Sequence, residues 1–289
     1  ALMGACAARD IHLCFLTPNG RFLARVCGQS RGNVLLRKEQ YRVSDDSAQS
    51  CMIARNMIFG KIFNSRWVLE RMLRDHAMRA DLPSLSAASA QLQNRLEGVR
   101  QIDDLDALRG AEGLASAAYF GVFDQMILNQ KDVFHFDGRN RRPPRDRINA
   151  ALSMTYTLLA HDCASALESV GLDAYVGFMH RDRPGRASLA LDLMEELRAP
   201  LADRFVLTLI NTRVLQQKHF KTQADGAVWL TDDGRKALLS AWQSRKKVEI
   251  THPFLKEKMA WGLVPYVQAL LLARTLRGDL DGYPPFLWK

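Results

Sequence analysis

The chain has little of what would hold a protein together covalently. It has only five cysteines among 289 residues (Cys6, Cys14, Cys27, Cys51 and Cys163), and no two form a C-x-x-C pair. An odd count without ligand spacing argues against a disulfide framework and a zinc site. Small buried thiols in a reducing cytoplasm are the expectation instead. No apolar run approaches the roughly 20 residues that cross a bilayer. No segment reads as a signal peptide, and neither an internal repeat nor a low-complexity stretch is visible. Acids are also in short supply, with 31 Asp and Glu against 40 Lys and Arg, a net charge of +9. That imbalance favours a polyanionic partner, nucleic acid before an acidic surface.

The clearest strand signals lie in the first 43 residues. Residues 11–16 and 21–26 flank Thr17-Pro18-Asn19-Gly20, and Asn-Gly is a strong hairpin signal. Residues 33–41 are expected to add a third strand. So small a sheet needs a partner surface, and the chain starts at Ala1, so a further N-terminal β piece is expected. From Ser44-Asp45-Asp46-Ser47, a capping cluster, the texture is helical. Helices are expected as a pair over 82–108, then over 114–129, 148–170 with Gly171 beyond its end, 188–197 with Pro200 beyond its end, 234–247 and 262–277. The fold class is therefore α+β: the remainder of a β domain over 1–43 and a mainly α-helical domain over 44–289.

The chemistry concentrates between Arg109 and Arg198. Glu112 sits between Gly110 and Gly113 near the expected start of an apolar helix, where an acid complements the helix dipole or faces a ligand. Asp192 and Glu195 are three apart and share a helix face. Around them Leu189, Leu191, Leu193, Met194 and Leu197 make the helix largely buried, so its acids need a counter-cation unless Glu195 simply pairs with Arg198. His180 ends an apolar run and could supply a neutral nitrogen ligand. The run Arg139, Arg141, Arg142, Arg145 and Arg147, stiffened by Pro143 and Pro144, is the clearest anion-binding candidate. Arg186 and the group Arg245, Lys246 and Lys247, with Arg213, Lys218 and Lys221, extend a basic track. Phe220 and Trp242 stand nearby as base-stacking candidates, though core is the simpler reading. Carboxylates with an imidazole hold divalent cations and arginines hold phosphates, which together point to phosphodiester chemistry.

The ordered motifs Arg109-Gly110-Ala111-Glu112-Gly113, Arg141-Arg142-Pro143-Pro144 with Asn149-Ala150, Gly171-Leu172-Asp173, Gly177-Phe178-Met179-His180 and Ser188-Leu189-Ala190-Leu191-Asp192-Leu193-Met194-Glu195 closely resemble the CRISPR-associated Cas1 integrase family over most of the chain. The Pro184-Gly185-Arg186 turn and the closing tail resemble the branch found with subtype I-C systems. The resemblance implies a helical catalytic domain behind a small β domain. It also implies a metal-dependent DNA endonuclease and integrase that joins 3′-hydroxyl ends of prespacer DNA into a CRISPR repeat array. Glu112, His180, Asp192 and Glu195 match the catalytic positions, with Glu112, His180 and Glu195 as ligands of Mg2+ or Mn2+. The last acid is Asp in some members, so Glu195 is one methylene longer there. Double-stranded DNA, a Cas2 subunit and a second copy of the chain are the implied partners. Two other readings remain open. His161-Asp162 resembles the dyad of HD-type metal phosphohydrolases, with His76 and His135 upstream. Alternatively, the acids are structural and the protein is a non-catalytic basic DNA-binding scaffold.

Overall fold

A computed structural model of the chain describes residues 1–9, 11, 13–17, 22–26, 33–78, 81–140 and 142–289. In chain order the elements are α1 (Leu2–Ala7), β1 (Leu13–Leu16), β2 (Phe22–Val26), α2 (Val34–Asp45), α3 (Ser47–Asp75), α4 (Leu82–Val99), α5 (Leu105–Gly121) and α6 (Arg147–Ser169). There follow α7 (Ser188–Leu197), α8 (Arg204–Asn211), β3 (Phe220–Thr222), β4 (Val228–Leu230), α9 (Asp232–Lys246), β5 (Glu249–Thr251), β6 (Lys258–Ala260) and α10 (Val264–Leu276). Helices dominate, as expected for the α+β class. Among the described residues the strands pair only as three antiparallel hairpins, β1–β2, β3–β4 and β5–β6. The first matches the expected strands, with Leu13 opposite Val26. Its Asn19-Gly20 turn lies outside the described residues. The other two hairpins carried too short an alternation to be read from sequence.

Residues 33–41 are not a third strand. Asn33 accepts the Leu36 N–H at 3.2 Å and caps α2, whose buried positions Leu36, Gln40 and Val43 follow helical spacing. This helix positions the loop that carries His180. The buried Gln40 amide donates to the carbonyls of Asp173 (2.8 Å) and Val176 (2.9 Å) and accepts the Asp173 N–H (2.9 Å). Ser44 donates to the Gly177 carbonyl at 2.9 Å. All of the amide's hydrogen-bonding directions used here are satisfied, so its burial is not penalised.

The axis of the fold is α3. Asp46 caps it by accepting from Ala48 and Gln49, and its long buried stripe packs against α4, α5 and α7. Fully buried Met57, Ile58, Ile62 and Leu69 lie on that stripe, each contributing about 1.5–3 kcal/mol through burial. Capping by Asp104 starts α5 nine residues before the expected helix. Its buried face is therefore Leu108, Ala115 and Tyr119, while Leu114 is exposed. Beyond α6, Gly171 takes φ +90°, the left-handed turn expected of a residue past a helix end.

Pro200 does not stop the chain. A π-helical stretch, Arg198–Asp203, carries α7 through it into α8. A proline has no N–H to offer the carbonyl four residues back. That carbonyl, of Glu196, instead accepts from the buried Asn64 amide of α3 at 2.7 Å. Asn64 also donates to the Phe286 carbonyl and accepts the Trp288 N–H, so one side chain ties α3, α7 and the C-terminal tail together. Among the described residues no helix is long and apolar enough to cross a membrane.

Candidate active site

Glu112 does not lie at a helix start but in the middle of α5, because Asp104 begins that helix early. The dipole explanation for its position therefore fails. Its carboxylate points toward α3 and α7. There Lys61 of α3 contacts Glu112 Oε1 and lies 2.8 Å from Glu195 Oε2, bridging two helices that are remote in sequence. Ser116 donates to Glu112 Oε1 at 2.8 Å. Arg109, one turn earlier on α5, donates through Nε and Nη2 to the Met179 carbonyl, so α5 holds both Glu112 and the loop leading to His180. Gly110 and Gly113 face open space, with nothing near where a Cβ would lie.

Glu195 and Asp192 are both buried on α7, as the apolar composition of that helix implies. Their environments differ. Glu195 Oε1 lies 2.9 Å from Arg198 Nη1 and 3.8 Å from His180 Nε2. Its Oε2 is buried and, despite the nearby Lys61 ammonium, has no aligned hydrogen bond. Burial alone would push this carboxyl up. The Arg198 guanidinium, the Lys61 ammonium and His180 outweigh that and hold it at about 2. The pairing of Glu195 with Arg198 foreseen at i+3 is thus present, together with a second cation. Lys61 was not foreseen. Its signal was a lone charge inside the apolar run Met57-Ile58-Phe59-Gly60-Lys61-Ile62-Phe63, which demands a buried acid from elsewhere in the chain.

Asp192 has no lone pair to spare. Its Oδ2 accepts from the backbone of Phe178 (2.7 Å) and Met179 (3.0 Å), and its Oδ1 from the His180 N–H (3.0 Å) and His180 Nδ1 (2.5 Å). A carboxylate only accepts, so Nδ1 carries the proton and Nε2 is the nitrogen presented toward Glu195. Asp192 therefore orients the histidine and shapes its loop. Gly177 is required at the start of that loop. A Cβ there would lie 2.8 Å from the Ser188 side chain and 2.9 Å from Asp192 Oδ2. Glu112 and Glu195 thus meet at Lys61, and His180 approaches the other oxygen of Glu195 with Asp192 behind it. Among the described residues no three His, Cys, Asp or Glu side chains stand close enough to hold a metal ion as placed.

A cleft of about 910 Å³ opens beside these carboxylates, and Lys61, Glu112, Arg139, Arg142, Tyr156, His161, Arg183, Arg186 and Arg198 are among the residues lining it. Arg139 and Arg198 both lie over the Tyr156 ring, at 5.0 and 5.3 Å from its centroid. The Tyr156 hydroxyl donates to buried Asp203 at 2.6 Å. Burial pushes the Asp203 carboxyl up to about 6 against the pull of that hydroxyl and the two arginines.

The Arg-Pro-Pro loop is a built structure. Asp146 caps α6 and, with fully buried Asn149, binds Asn140 and the Gly138 carbonyl. Arg141 lies outside the described residues. Arg145 donates to the Asp225 carbonyl and Arg147 to that of Val133, so these two hold the loop in place.

The other basic candidates do not line the cleft. Arg245 lies 5.2 Å from the Trp261 ring centroid, and its burial lowers its pKa. Lys246 pairs with Asp162 at 3.0 Å, while Lys247 is exposed, as are Arg213, Lys218 and Lys221. That ion pair occupies Asp162, and His76 and His135 are exposed, with no metal-holding group of His, Cys, Asp or Glu around them among the described residues. The HD-type reading therefore lacks its ligands. Trp242 is a core residue packed edge-on against Phe205, and half-buried Phe220 packs edge-on against Phe134 at the core's margin.

The family model "CRISPR associated protein Cas1" matches residues 1–244. The chain is 55% identical over 294 residues to "CRISPR-associated endonuclease Cas1 2" of Rhodospirillum rubrum, covering 100% of this chain and 84% of that protein. Its fold matches a casposase bound to integration product with a TM-score of 0.84 at 23% identity, covering 99% of this chain and 76% of that one. It also matches a chain of a Cas6-RT-Cas1–Cas2 complex with a TM-score of 0.80 at 25% identity, covering 99% of this chain and 30% of that one.

Proposed function

The chain belongs to the CRISPR-associated Cas1 family, and on that premise we propose that it is a metal-dependent DNA endonuclease and integrase. It joins 3′-hydroxyl ends of prespacer DNA into a CRISPR repeat array. The observation that carries this reading is that three separate segments converge on Glu195, Glu112 through the shared Lys61 and His180 at 3.8 Å, beside an arginine-lined cleft that Lys61 and Glu112 border. The chemistry of that donor set suits a divalent cation, Mg2+ or Mn2+, although the three side chains would have to draw closer to hold it. The Lys61 ammonium already acts as a stand-in cation on oxygens of both glutamates, and buried Glu195 Oε2 has no aligned donor. Two carboxylates and an imidazole are suitable ligands for a hard to borderline cation. When bound, it polarises the scissile phosphate and stabilises the leaving oxygen.

The chain's own residues perform the rest. Arg139, Arg142 and Arg186 line the approach and hold backbone phosphates, which fixes the DNA without reading its sequence. Asp192 fixes the His180 tautomer so that Nε2 is the nitrogen left to face Glu195 and the cation between them. In the joining step the 3′-hydroxyl oxygen bonds to phosphorus while the bridging 3′ oxygen of the target strand leaves and takes a proton. One phosphodiester is exchanged for another, so no external energy source is needed.

The partners are prespacer and repeat DNA, a second copy of this chain and a Cas2 subunit. Similarity to a chain from a Cas1–Cas2 complex supports the last of these. The Pro184-Gly185-Arg186 turn and the closing tail favour a subtype I-C-like branch. The test is joining of a 3′-hydroxyl DNA end to a supercoiled repeat-bearing plasmid, with Mg2+ or Mn2+ and the Cas2 partner. Glu112→Ala should abolish joining with DNA affinity nearly intact, whereas folded Asp162→Ala should join normally. Normal joining by Glu112→Ala would overturn the assignment.

A further inference from the structure

Among the described residues Lys61 is the one cation paired with both Glu112 and Glu195, and it comes from a helix that carries neither. Its side chain is only 10% exposed, that of Glu195 3% and that of Glu112 23%, so the three charges meet in a mostly buried setting at the cleft edge. Two carboxylates brought together there repel unless a cation lies between them. Arg198 reaches Glu195 but has no ion pair with Glu112 among the described residues, so it cannot serve as the bridge. The lysine also borders the cleft, and its four-carbon stem is flexible. The ammonium therefore has somewhere to go.

We propose that Lys61 is a built-in counter-cation that holds the metal-free site together and is displaced from Glu112 and Glu195 when a divalent ion binds. This rests on the ligand set proposed above. An ammonium and a divalent ion cannot occupy the same carboxylate oxygens, because both need those lone pairs and they repel each other. Metal binding thus includes the cost of removing the lysine, and the affinity of the site is lower than its donor set alone would give. The displaced ammonium is released at the edge of the cleft, where phosphate oxygens arrive. Lys61 is a positioning residue in this account, acting through the two carboxylates.

Two measurements on DNA-free protein test the idea. The first acylates the lysines of the wild-type chain with a small amine-reactive ester at fixed pH, with and without Mn2+, and reads each site by peptide mass spectrometry. Labelling of Lys61 should rise several-fold on adding Mn2+, while exposed Lys218 and Lys247 stay unchanged. The second titrates Mn2+ calorimetrically into wild type, Lys61→Met and Lys61→Arg. Lys61→Met should bind at least about tenfold more tightly because the competing cation is gone, and Lys61→Arg should not. A purely structural lysine would make Lys61→Met weaker or unchanged and leave labelling indifferent to Mn2+, and either result with Mn2+ bound overturns the proposal. If Lys61→Met does not fold, the wild-type labelling decides. Mn2+ binding to Lys61→Met but not to wild type supports displacement. No binding to any folded form overturns the ligand set itself and this inference with it.

Discussion

Replacing Asp192 by asparagine changes one atom and should cost far more than its size suggests. The carboxylate is 1% exposed and receives four donors, three backbone N–H groups and His180 Nδ1, two on each oxygen. An asparagine amide offers one acceptor oxygen, and its NH2 must face two donors whichever way it is turned. Two hydrogen bonds to a charged acceptor are therefore lost, at about 1.5–2 kcal/mol each, a total of about 3–4 kcal/mol. At roughly 2–4 °C per kcal/mol for a chain of this size, the melting temperature should fall by about 6–16 °C. His180→Ala removes only the Nδ1 bond and should lower it by about half as much or less. Thermal unfolding by circular dichroism at pH 7 compares the three proteins. Joining measured where all are folded should be lost in Asp192→Asn, because the histidine loop has lost its anchor. A melting temperature within about 2 °C of wild type would refute this account of the loop.

Burial pushes the Glu196 carboxyl up to about 7, against the pull of Tyr283, the Phe286 N–H and Gln268. A raised acid keeps its proton longer in the native than in the unfolded chain. Its contribution is thus fully favourable below the ordinary value near 4.5 and is lost as pH rises to about 7, by roughly 3 kcal/mol. Urea denaturation across pH 4.5–7 should show this fall in wild type and less of it in Glu196→Gln; identical slopes would contradict it. Phe286→Ala should cost about 3–5 kcal/mol, since the ring is fully buried against His252 and Trp261, and chemical denaturation measures this directly. Neutralising Arg142 and Arg186 together should weaken DNA binding and reduce the slope of log affinity against log salt by about 0.9 per lost phosphate contact. An unchanged slope would mean that neither touches the backbone.

The sequence by itself determined what could be set locally. Helical spacing, capping acids and the left-handed glycine marked α6, α7 and α9 to within a residue or two at each end, because each depends on contacts within one turn. The apolar surroundings of Asp192 and Glu195 were enough to place both acids inside the protein and to require a cation near them. The net positive charge and the ordered motifs pointed to phosphodiester chemistry. Where the sequence misled, a local signal competed with another that was stronger. The Asn33 cap won over strand alternation at 33–41, and α7 ended where expected but ran on as a π-helical stretch because Asn64 satisfied the carbonyl that Pro200 leaves free.

Only the tertiary structure decided which cation meets the acids and which acid does which work. Lys61 lies 51 residues before Glu112 and 134 before Glu195, and neither spacing carries information about contact. Asp192 and Glu195 have the same charge and share one helix face, yet one is saturated by a loop's backbone and the other is left with an unaligned oxygen. Of the arginines in the run around Pro143 and Pro144, Arg139 and Arg142 reach the cleft while Arg145 and Arg147 hold the loop. Each of these outcomes depends on where helices cross, which is settled by how their side chains pack over the whole core rather than by any stretch of sequence.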